Sequence, residues 1–405
     1  MKKIVTLAFI FFTLFSKADY WTQKANFPGA IESTGFSFTI GNLGYIGCGI
    51  SASGTTNEFW EFNPLSNTWT QKATFGGASR NTPIGFSVSN KGYAGLGRDN
   101  NNNYYQDLWE YNPVSNTWIQ KADFGGGERF YAVAFTVGSK AYAGTGYTAA
   151  IVHTNDLWEY DPALDQWTQK TSLPGVIRGD ANAFEANGKG YILCGYTTGT
   201  TLDDVWEYDP LSDTWTQKAS LPGSMRTDAV SFSINNRGYI GTGEGPALGQ
   251  YLSDFWQFNP LANQWTMKAM FPGTARDQAL GFSAGIKGYL GSGCQNSLVN
   301  FIDWWEYTAD STTSVQENTS SAGGLQFTIS PNPAKDFINI SNFKNPGHLT
   351  ITDARGKKVF ETQLPINNHQ SKISLTGFSK GIYFVEISDA AKQGKEKAVR
   401  KFVKE

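Results

Sequence analysis

Two tryptophan motifs repeat along most of the chain with one common period. The first reads Trp-Thr-Gln-Lys-Ala in most copies, and the second has the form Asp-Leu-Trp-Glu-Tyr-Asn-Pro; both recur every 48 to 50 residues. A repeat of this length indicates a structural unit that cannot bury its own faces and must stack on its neighbours. The repeated tryptophans are Trp21, Trp69, Trp118, Trp167, Trp215 and Trp265 in the first motif and Trp60, Trp109, Trp158, Trp206, Trp256 and Trp305 in the second.

Each repeat is interpreted as four short antiparallel strands joined by tight turns. In the second complete repeat we expect strands at 84–88, 93–97, 107–111 and 117–122, because β-branched and aromatic residues there are bounded by Gly, Asn and Pro. Four-stranded repeats of about 50 residues are typical of propeller blades. Aromatic residues make up 15% of the chain, and 44 residues are glycine, which favours the same all-β class.

The two ends of the repeat array are complementary. The chain begins the array near Trp21 with the last strand of a repeat, and the final repeat stops at Tyr307 without its own last strand. Pairing these two halves gives six complete repeats and removes an open sheet edge. We therefore predict a six-bladed β-propeller over residues 19–309 that is closed by its N-terminal strand.

The repeats resemble those of the kelch family. The shared features are a Tyr followed by glycines, an acidic residue before an aromatic-Tyr-Asp-Pro strand, a Trp in the last strand and a Pro-x-x-x-Arg turn. The resemblance implies a kelch-type propeller. The sequence departs from the family where an adjacent glycine pair is usual: it has Gly-x-Gly, as in Gly95-Leu96-Gly97, and Leu193 interrupts that pattern in the fourth repeat.

The N-terminus is predicted to be a signal peptide over residues 1–18. Lys2 and Lys3 precede an apolar run at residues 4–15, and small residues flank a cleavage position after Ala18. The apolar run is too short to span a bilayer as a stable helix, so no transmembrane span is expected after its removal.

The C-terminal part differs from the repeats in charge and pattern. Residues 1–323 carry 20 Lys and Arg against 28 Asp and Glu, whereas residues 324–405 carry 13 against 7. Residues 310–323 are small and polar, which is typical of a linker. Alternating apolar residues resume beyond them and predict a small β-sandwich over 324–405. Neither part has the basic surface of a nucleic-acid-binding protein, so no nucleic-acid partner is expected.

Four motifs in this C-terminal part resemble the type A sorting domain of bacterial type IX secretion. They are Ser-Pro-Asn-Pro-Ala, Asp-Ala-Arg-Gly-Lys, Gly-Ile-Tyr-Phe-Val and a basic ending, in that order. The resemblance implies export to the periplasm, passage through the outer-membrane secretion machinery, and a secreted or cell-surface location. A purely structural β-sandwich is the alternative. The motif residues are Pro331, Asn332, Pro333, Asp353, Gly356, Lys357, Gly381, Tyr383 and Lys401.

One arginine per repeat precedes the first strand, and in the first repeat a glutamate takes its place. Six-fold stacking is expected to bring these residues together on one face, where guanidinium groups could hold an anionic ligand such as the carboxylate of an acidic sugar. Each repeat also has an acidic residue at the start of its third strand on the same face, so the alternative is an ion pair that pins the blades. The candidate ligand-binding ring is Glu32, Arg80, Arg129, Arg178, Arg226 and Arg276.

The sequence contains few residues that could form a catalytic centre. His153 is the only histidine in the repeats, which argues against a histidine-based zinc or copper site, and we expect no metal, cofactor or catalytic residues. The odd number of cysteines gives no disulfide framework, so all three are interpreted as buried structural thiols. They are Cys48, Cys194 and Cys294.

The sequence therefore favours a non-enzymatic, exported binding or adhesion module. The loops between the second and third strands differ in length and sequence on an otherwise uniform scaffold, and binding residues usually lie on such loops. The expected ligand is an extracellular glycan or protein. The alternative is a carbohydrate-active enzyme resembling the kelch-type N-acetylneuraminate mutarotases and epimerases, in which arginine and acidic residues near the axis act on an acidic sugar.

Overall fold

The chain folds into two compact parts that divide at residue 312. The structure is a computed structural model, and it describes residues 19–296, 299–310, 328–330, 334–341, 346–353, 357–363, 370–389 and 397–404. The predicted signal peptide and nearly all of the predicted linker lie outside these residues.

The first part contains six four-stranded antiparallel sheets within residues 19–310, which we number as blades 1 to 6. The innermost strands are Phe36–Ile40, Ile84–Val88, Val133–Val137, Asn182–Ala186, Val230–Ile234 and Leu280–Ala284. The second strands are Leu43–Gly47, Lys91–Gly95, Lys140–Gly144, Lys189–Leu193, Arg237–Gly241 and Lys287–Gly291. The third strands are Phe59–Asn63, Leu108–Asn112, Leu157–Asp161, Val205–Asp209, Phe255–Asn259 and Trp304–Thr308. The outer strands are Thr68–Gln71, Thr117–Lys121, Gln166–Lys170, Thr214–Lys218, Gln264–Met267 and Tyr20–Lys24.

The outer strand of blade 6 comes from the N-terminal end of the described chain. Trp21 pairs with Tyr307 in an antiparallel register, and the Trp21 indole donates a hydrogen bond of 2.9 Å to the Ala269 carbonyl. The equivalent tryptophans of the other blades make the same bond to the loop of the blade before them. Strand Tyr20–Lys24 therefore occupies in blade 6 the place that each other blade fills from its own repeat.

The innermost strands contact one another in a closed cycle, blade 1 to blade 2 and onward to blade 6, which contacts blade 1. Side chains seal these contacts, as where the Ser37 and Thr39 hydroxyls of blade 1 each donate a 2.6 Å hydrogen bond to a backbone carbonyl of blade 6. The apolar clusters lie between neighbouring blades; one combines Phe36 and Phe59 of blade 1 with Phe75 and Tyr111 of blade 2. Burial of these aromatic faces stabilises the stacking of the blades.

The Gly-x-Gly motif has a steric function at the end of the second strand. Gly97 has a φ of +90°, and a Cβ atom placed there would lie 2.5 Å from the Asn81 carbonyl oxygen. A side chain at this position would push away the loop that leads into the innermost strand, so glycine is required.

Strand positions agree closely with the sequence predictions. In blade 2 the predicted innermost strand matches residue for residue, and the other three strands end within two residues of the predicted ends. Three loops between the second and third strands contain short hairpins that the sequence did not predict: Ile50–Ser51 with Gly54–Thr55, Tyr196–Thr197 with Thr200–Thr201, and Cys294–Gln295 with Val299–Asn300. All three cysteines are free and buried, as predicted.

The second part contains two antiparallel sheets. One sheet consists of Thr328–Ser330, Phe337–Ser341 and Gln370–Ser374; the other consists of Lys358–Gln363, Pro346–Asp353, Gly381–Asp389 and Lys397–Lys404 in spatial order. Both sheets contribute to one apolar core that includes Ile338, Ile373, Ile351 and Val385. This is a small β-sandwich. Among the described residues of the whole chain, no helix is long and apolar enough to cross a membrane.

Candidate functional site

The five arginines of the predicted ring are buried and paired. Arg178 is typical: its Nη1 and Nη2 atoms donate hydrogen bonds of 2.6 and 2.7 Å to the two carboxylate oxygens of Asp204, and Nη1 also donates to the Cys194 carbonyl. None of the five is more than 2% exposed. The other pairs are Arg80 with Asp107, Arg129 with Asp156, Arg226 with Asp254 and Arg276 with Asp303.

The aspartates of these pairs are also held by the repeated tryptophans. The Trp206 indole donates a 2.7 Å hydrogen bond to Asp204. Although burial alone raises the pKa of Asp204, the hydrogen bonds from Arg178 and Trp206 hold it below its ordinary value. The Arg178–Asp204 pair is therefore ionised at neutral pH.

The arginines connect neighbouring blades. The Arg178 side chain binds within blade 4, while its backbone carbonyl accepts a 2.8 Å hydrogen bond from Gly146 of blade 3. The same backbone bond recurs at the other four arginines. The guanidinium groups are thus buried and paired inside the blades, and a ligand-facing ring stays a prediction. Their geometry supports the alternative of an ion pair that pins the blades.

Glu32 keeps the backbone role of the arginines but has a different side-chain environment. Its carbonyl accepts a 2.7 Å hydrogen bond from Gly293 of blade 6, whereas its carboxylate accepts one from the Asn300 amide. The acidic residue of blade 1, Glu58, accepts hydrogen bonds from the Ala30 backbone and the Trp60 indole instead of an arginine. Blade 1 is the blade in which the repeated Arg–Asp pair is replaced.

The residues that face the axis lie two positions after each member of the predicted ring. All six have a left-handed backbone with φ between 51° and 55°. Their backbone N–H groups donate around the axis, each to the carbonyl of the corresponding residue in the preceding blade, in five of the six steps. We call these residues the axial ring: Thr34, Thr82, Tyr131, Asp180, Asp228 and Gln278.

The axial ring surrounds a cavity of about 500 Å³, including its solvent-open mouth. Ala132, Ala181, Ala229 and Ala279 complete its wall and keep it open because their side chains are small. A second cavity continues along the innermost strands.

Two hydroxyl groups in this cavity have no partner. The side chains of Thr34 and Thr82 line the cavity and are only 8% and 6% exposed, yet neither Oγ1 atom has a hydrogen-bond partner among the described residues. A buried hydroxyl without a partner is costly, so these atoms are available for a bound molecule or water.

Carboxyl groups cluster on the side of the cavity formed by blades 4 to 6. Burial raises the pKa of Asp180 to about 7, while a 2.9 Å hydrogen bond from Tyr147 and the charge of Arg98 oppose the shift. Burial and the charges of Asp180 and Asp277 raise the pKa of Asp228 well above its ordinary value. Burial also raises the pKa of Asp277 to about 6. Such values place Asp180 and Asp277 near their titration range at neutral pH.

Aromatic side chains of blades 3 and 4 lie beside Asp180, whose carboxyl accepts the hydrogen bond from Tyr147. Phe130 stacks on Tyr147 at 5.0 Å between ring centroids, and Tyr147 contacts the His153 ring at 4.2 Å. His153 also lies 6.0 Å from the Tyr196 ring, and burial lowers its pKa. The Arg98 guanidinium lies 4.7 Å from the centroid of Phe130. We call Phe130, Tyr131, Tyr147, His153 and Tyr196 the aromatic wall.

The sequence did not identify the axial ring or the individual residues of the aromatic wall, although it favoured the loops between the second and third strands, in which Tyr147, His153 and Tyr196 lie. It selected the repeated arginines because they were invariant in type between repeats, whereas the axial ring differs in chemistry from blade to blade. The residue type two positions after each arginine changes from repeat to repeat, and this variation could have identified the axial ring in the sequence. No group of three or more His, Cys, Asp or Glu side chains within the described part of the chain is arranged to hold a metal ion.

The structure describes five of the nine predicted sorting-motif residues. Asp353 accepts a 3.0 Å hydrogen bond from the Lys357 backbone, which closes a tight turn. Tyr383 is buried against Phe378 and donates to the Ser379 carbonyl at 2.8 Å. Gly381 and Lys401 lie on the two adjacent C-terminal strands. Pro331, Asn332, Pro333 and Gly356 lie outside the described residues.

Comparison with known proteins gives matches for both parts of the chain. Residues 96–225 match the KLHDC2/KLHL20/DRC7 Kelch-repeats domain, and residues 328–405 match the secretion system C-terminal sorting domain. The chain is a kelch-repeat protein with a type IX sorting domain. The sorting domain marks proteins that the type IX system secretes to the cell surface or the extracellular space, and it implies contact with the secretion machinery.

The kelch-repeat part is also similar in fold to a solved structure entitled "Structure of YjhT". The TM-score is 0.59 at 16% sequence identity, and the match covers 69% of this chain and 95% of the other. Identity at this level supports the propeller fold alone. No curated protein sequence matches the chain.

Removal of residues 324–405 is expected to leave the propeller folded and to trap it in the periplasm. The two parts have separate cores, so truncation removes the sorting domain and leaves the core of the propeller complete. Fractionation of the native host with an antibody to the propeller measures this. Normal amounts of the truncated protein at the cell surface would contradict the sorting role.

Substitution of Asp228 by Asn is expected to stabilise the protein at pH 8 and to have little effect near pH 4. Because its folded pKa is raised, Asp228 binds more protons in the folded than in the unfolded state between these pH values, so wild-type stability falls as pH rises. Asparagine is neutral throughout. Chemical unfolding at both pH values measures the difference; an equal effect at pH 4 and pH 8 would contradict this explanation.

Proposed function

We propose that this secreted kelch-repeat protein is a glycan-binding module whose binding site is the axial cavity together with the aromatic wall. The observation that carries the proposal is an open cavity lined by hydroxyl and carboxyl groups, with the stacked rings of Phe130, Tyr147 and His153 beside its Asp180 carboxyl. Sugar rings have apolar C–H faces that pack on aromatic side chains, and their hydroxyl groups require convergent polar partners.

The buried arginines have no direct role in this proposal. They position the axial ring, because each lies two residues before a ring member and is fixed to two blades. The scaffold is rigid around the axis, whereas the ring side chains differ between blades. When the protein is displayed at the cell surface, glycan binding at this cavity would attach the cell to a glycan-covered surface.

Substitution of Tyr147 by Ala is expected to weaken glycan binding about tenfold, which corresponds to about 1.4 kcal/mol. Tyr147 is the centre of the aromatic wall, where it contacts Phe130, His153 and the Asp180 carboxyl. A glycan array identifies ligands for the purified protein, and calorimetry with the strongest ligand measures the loss.

The matched control is Leu211→Ala, which changes a side chain that is 98% exposed in the turn between the third and outer strands of blade 4. This turn lies at the opposite end of the blade from the cavity. Absence of any glycan ligand, or equal affinity of the Tyr147 and Leu211 variants for the ligand, would overturn the proposal.

A second candidate function is acid–base catalysis on a bound sugar. It is favoured by one observation, the neighbouring Asp180 and Asp228 carboxyls, because paired groups with raised pKa values can donate and accept protons near neutral pH. Anomer exchange of the best ligand, followed by NMR, distinguishes the functions. Acceleration that is lost in Asp180→Asn supports catalysis, whereas binding without acceleration supports the module.

A further inference from the structure

The mouth of the axial cavity has an uneven charge distribution. Asp180 and Asp228 line the cavity, and the Asp277 and Glu244 carboxyl groups lie close enough to influence the charge of Asp228. The single cation that influences Asp180 is Arg98, which stacks on Phe130 at the aromatic wall. One side of the cavity therefore has a strong negative potential.

Hydrogen-bond donors in the axial ring are mostly occupied. The backbone N–H groups of Thr34, Thr82, Asp180, Asp228 and Gln278 already donate to neighbouring ring carbonyls. An anionic group in the cavity would find few donors, whereas a cationic group would find carboxylate oxygens on one side. On the other side, the unpaired Oγ1 atoms of Thr34 and Thr82 can accept further hydrogen bonds.

From this arrangement we propose that the ligand carries a protonated amine, so that the glycan recognised is an amino sugar whose ammonium group lies between the Asp180–Asp228 pair and the unpaired threonine hydroxyls. This inference rests on the proposed glycan-binding function and specifies its ligand class. The ammonium group donates up to three hydrogen bonds, and the sugar ring packs on the aromatic wall. The positive charge of the amine attracts both carboxylates and so offsets the repulsion between them.

The proposal makes binding dependent on pH. Binding of a cation favours the ionised carboxyls, so it is weakened as pH falls through 7 and Asp180 takes up a proton. The other groups that face this pair are Tyr131, Tyr147, Arg98, Glu244 and Asp277. The pKa values of both tyrosines are raised, so neither ionises in this range, and Asp277 adds negative charge as pH rises through about 6.

The test compares three oligosaccharides with the same β-1,4-linked backbone: glucosamine, N-acetylglucosamine and N-trimethylated glucosamine. Acetylation removes the charge, and trimethylation makes it independent of pH. Calorimetry with the full protein is expected to show at least about tenfold tighter binding of glucosamine than of its acetylated form, equivalent to about 1.4 kcal/mol. Binding of the trimethylated form is expected to strengthen as pH is raised through 7.

Two aspartate variants complete the test. Asp228→Asn is expected to abolish the preference for the amine, whereas Asp123→Asn, an equal charge change at an exposed site that contacts Gln106, keeps it. Equal or tighter binding of the acetylated oligosaccharide overturns the amine inference but leaves glycan binding intact, since a neutral sugar is then bound. Tighter binding of a lysine-rich peptide than of any sugar overturns both, as does the absence of binding by every oligosaccharide and array glycan.

Discussion

A chain that begins at residue 26, without the strand Tyr20–Lys24, is expected to form no stable propeller. Removing this strand leaves the third strand of blade 6 as an open edge and exposes Tyr307 and Phe255, which pack against Trp21 at ring-centroid distances of 5.0 Å. An exposed strand with apolar neighbours promotes aggregation. The expected result is the loss of a cooperative thermal transition in circular dichroism.

Two point variants show whether the effect is specific to closure. Trp21→Ala is expected to cost about 3 to 5 kcal/mol, because it removes a large aromatic side chain and its bond to Ala269. Gln23→Ala, at an exposed position of the same strand, is expected to change stability little. Cooperative melting of the shortened chain near the wild-type temperature would show that the ring does not depend on its N-terminal strand.

Substitution of Arg178 by Ala is expected to destabilise the protein by about 3 to 5 kcal/mol. The change leaves the Asp204 carboxylate largely buried without its bidentate partner and frees the Cys194 carbonyl. Breaking a buried pair is more damaging than replacing both partners, so Arg178→Met combined with Asp204→Leu is expected to recover part of the loss. Chemical unfolding measures both variants.

The control for this prediction is Lys121→Ala. Lys121 makes a partly exposed ion pair of 3.4 Å with Asp165 on an outer strand, so its loss is expected to cost less than about 1 kcal/mol. A similar small effect for Arg178→Ala would contradict the pinning role. If Arg178→Ala instead lost ligand binding without losing stability, the arginines would be assigned to the binding site.

The sequence predicted the all-β kelch architecture because every repeat carries the same marker residues at the same positions. Tryptophan and tyrosine markers place the strands, and Gly-x-Gly marks a position where any Cβ would collide with backbone. The periodicity also predicted that Arg178 and Asp204 share one face. It could not predict how deeply these two side chains are buried. Residues that recur with the same period on one face include both buried residues and residues that line the axis. The burial of the arginine side chains favours the pinning role over ligand binding.

The binding site was less predictable for a related reason. Asp180 and Asp228 are adjacent only because neighbouring blades are stacked, and their raised pKa values come from burial and from that proximity. Tyr147 and His153 lie in a loop whose sequence has no counterpart in other repeats. Pairwise arrangements between unlike loops leave no periodic signal in the sequence, so only the folded structure brings them together.

The backbone of the axial ring is held by N–H to carbonyl bonds that involve no side-chain atoms of its members. Threonine, tyrosine, aspartate and glutamine all occupy the same left-handed conformation there, although each such residue costs about 1 kcal/mol in strain. The backbone around the opening therefore does not depend on which side chains the ring residues carry. Its chemistry can be exchanged one blade at a time without rebuilding the scaffold, and the same frame can serve ligands of unlike polarity.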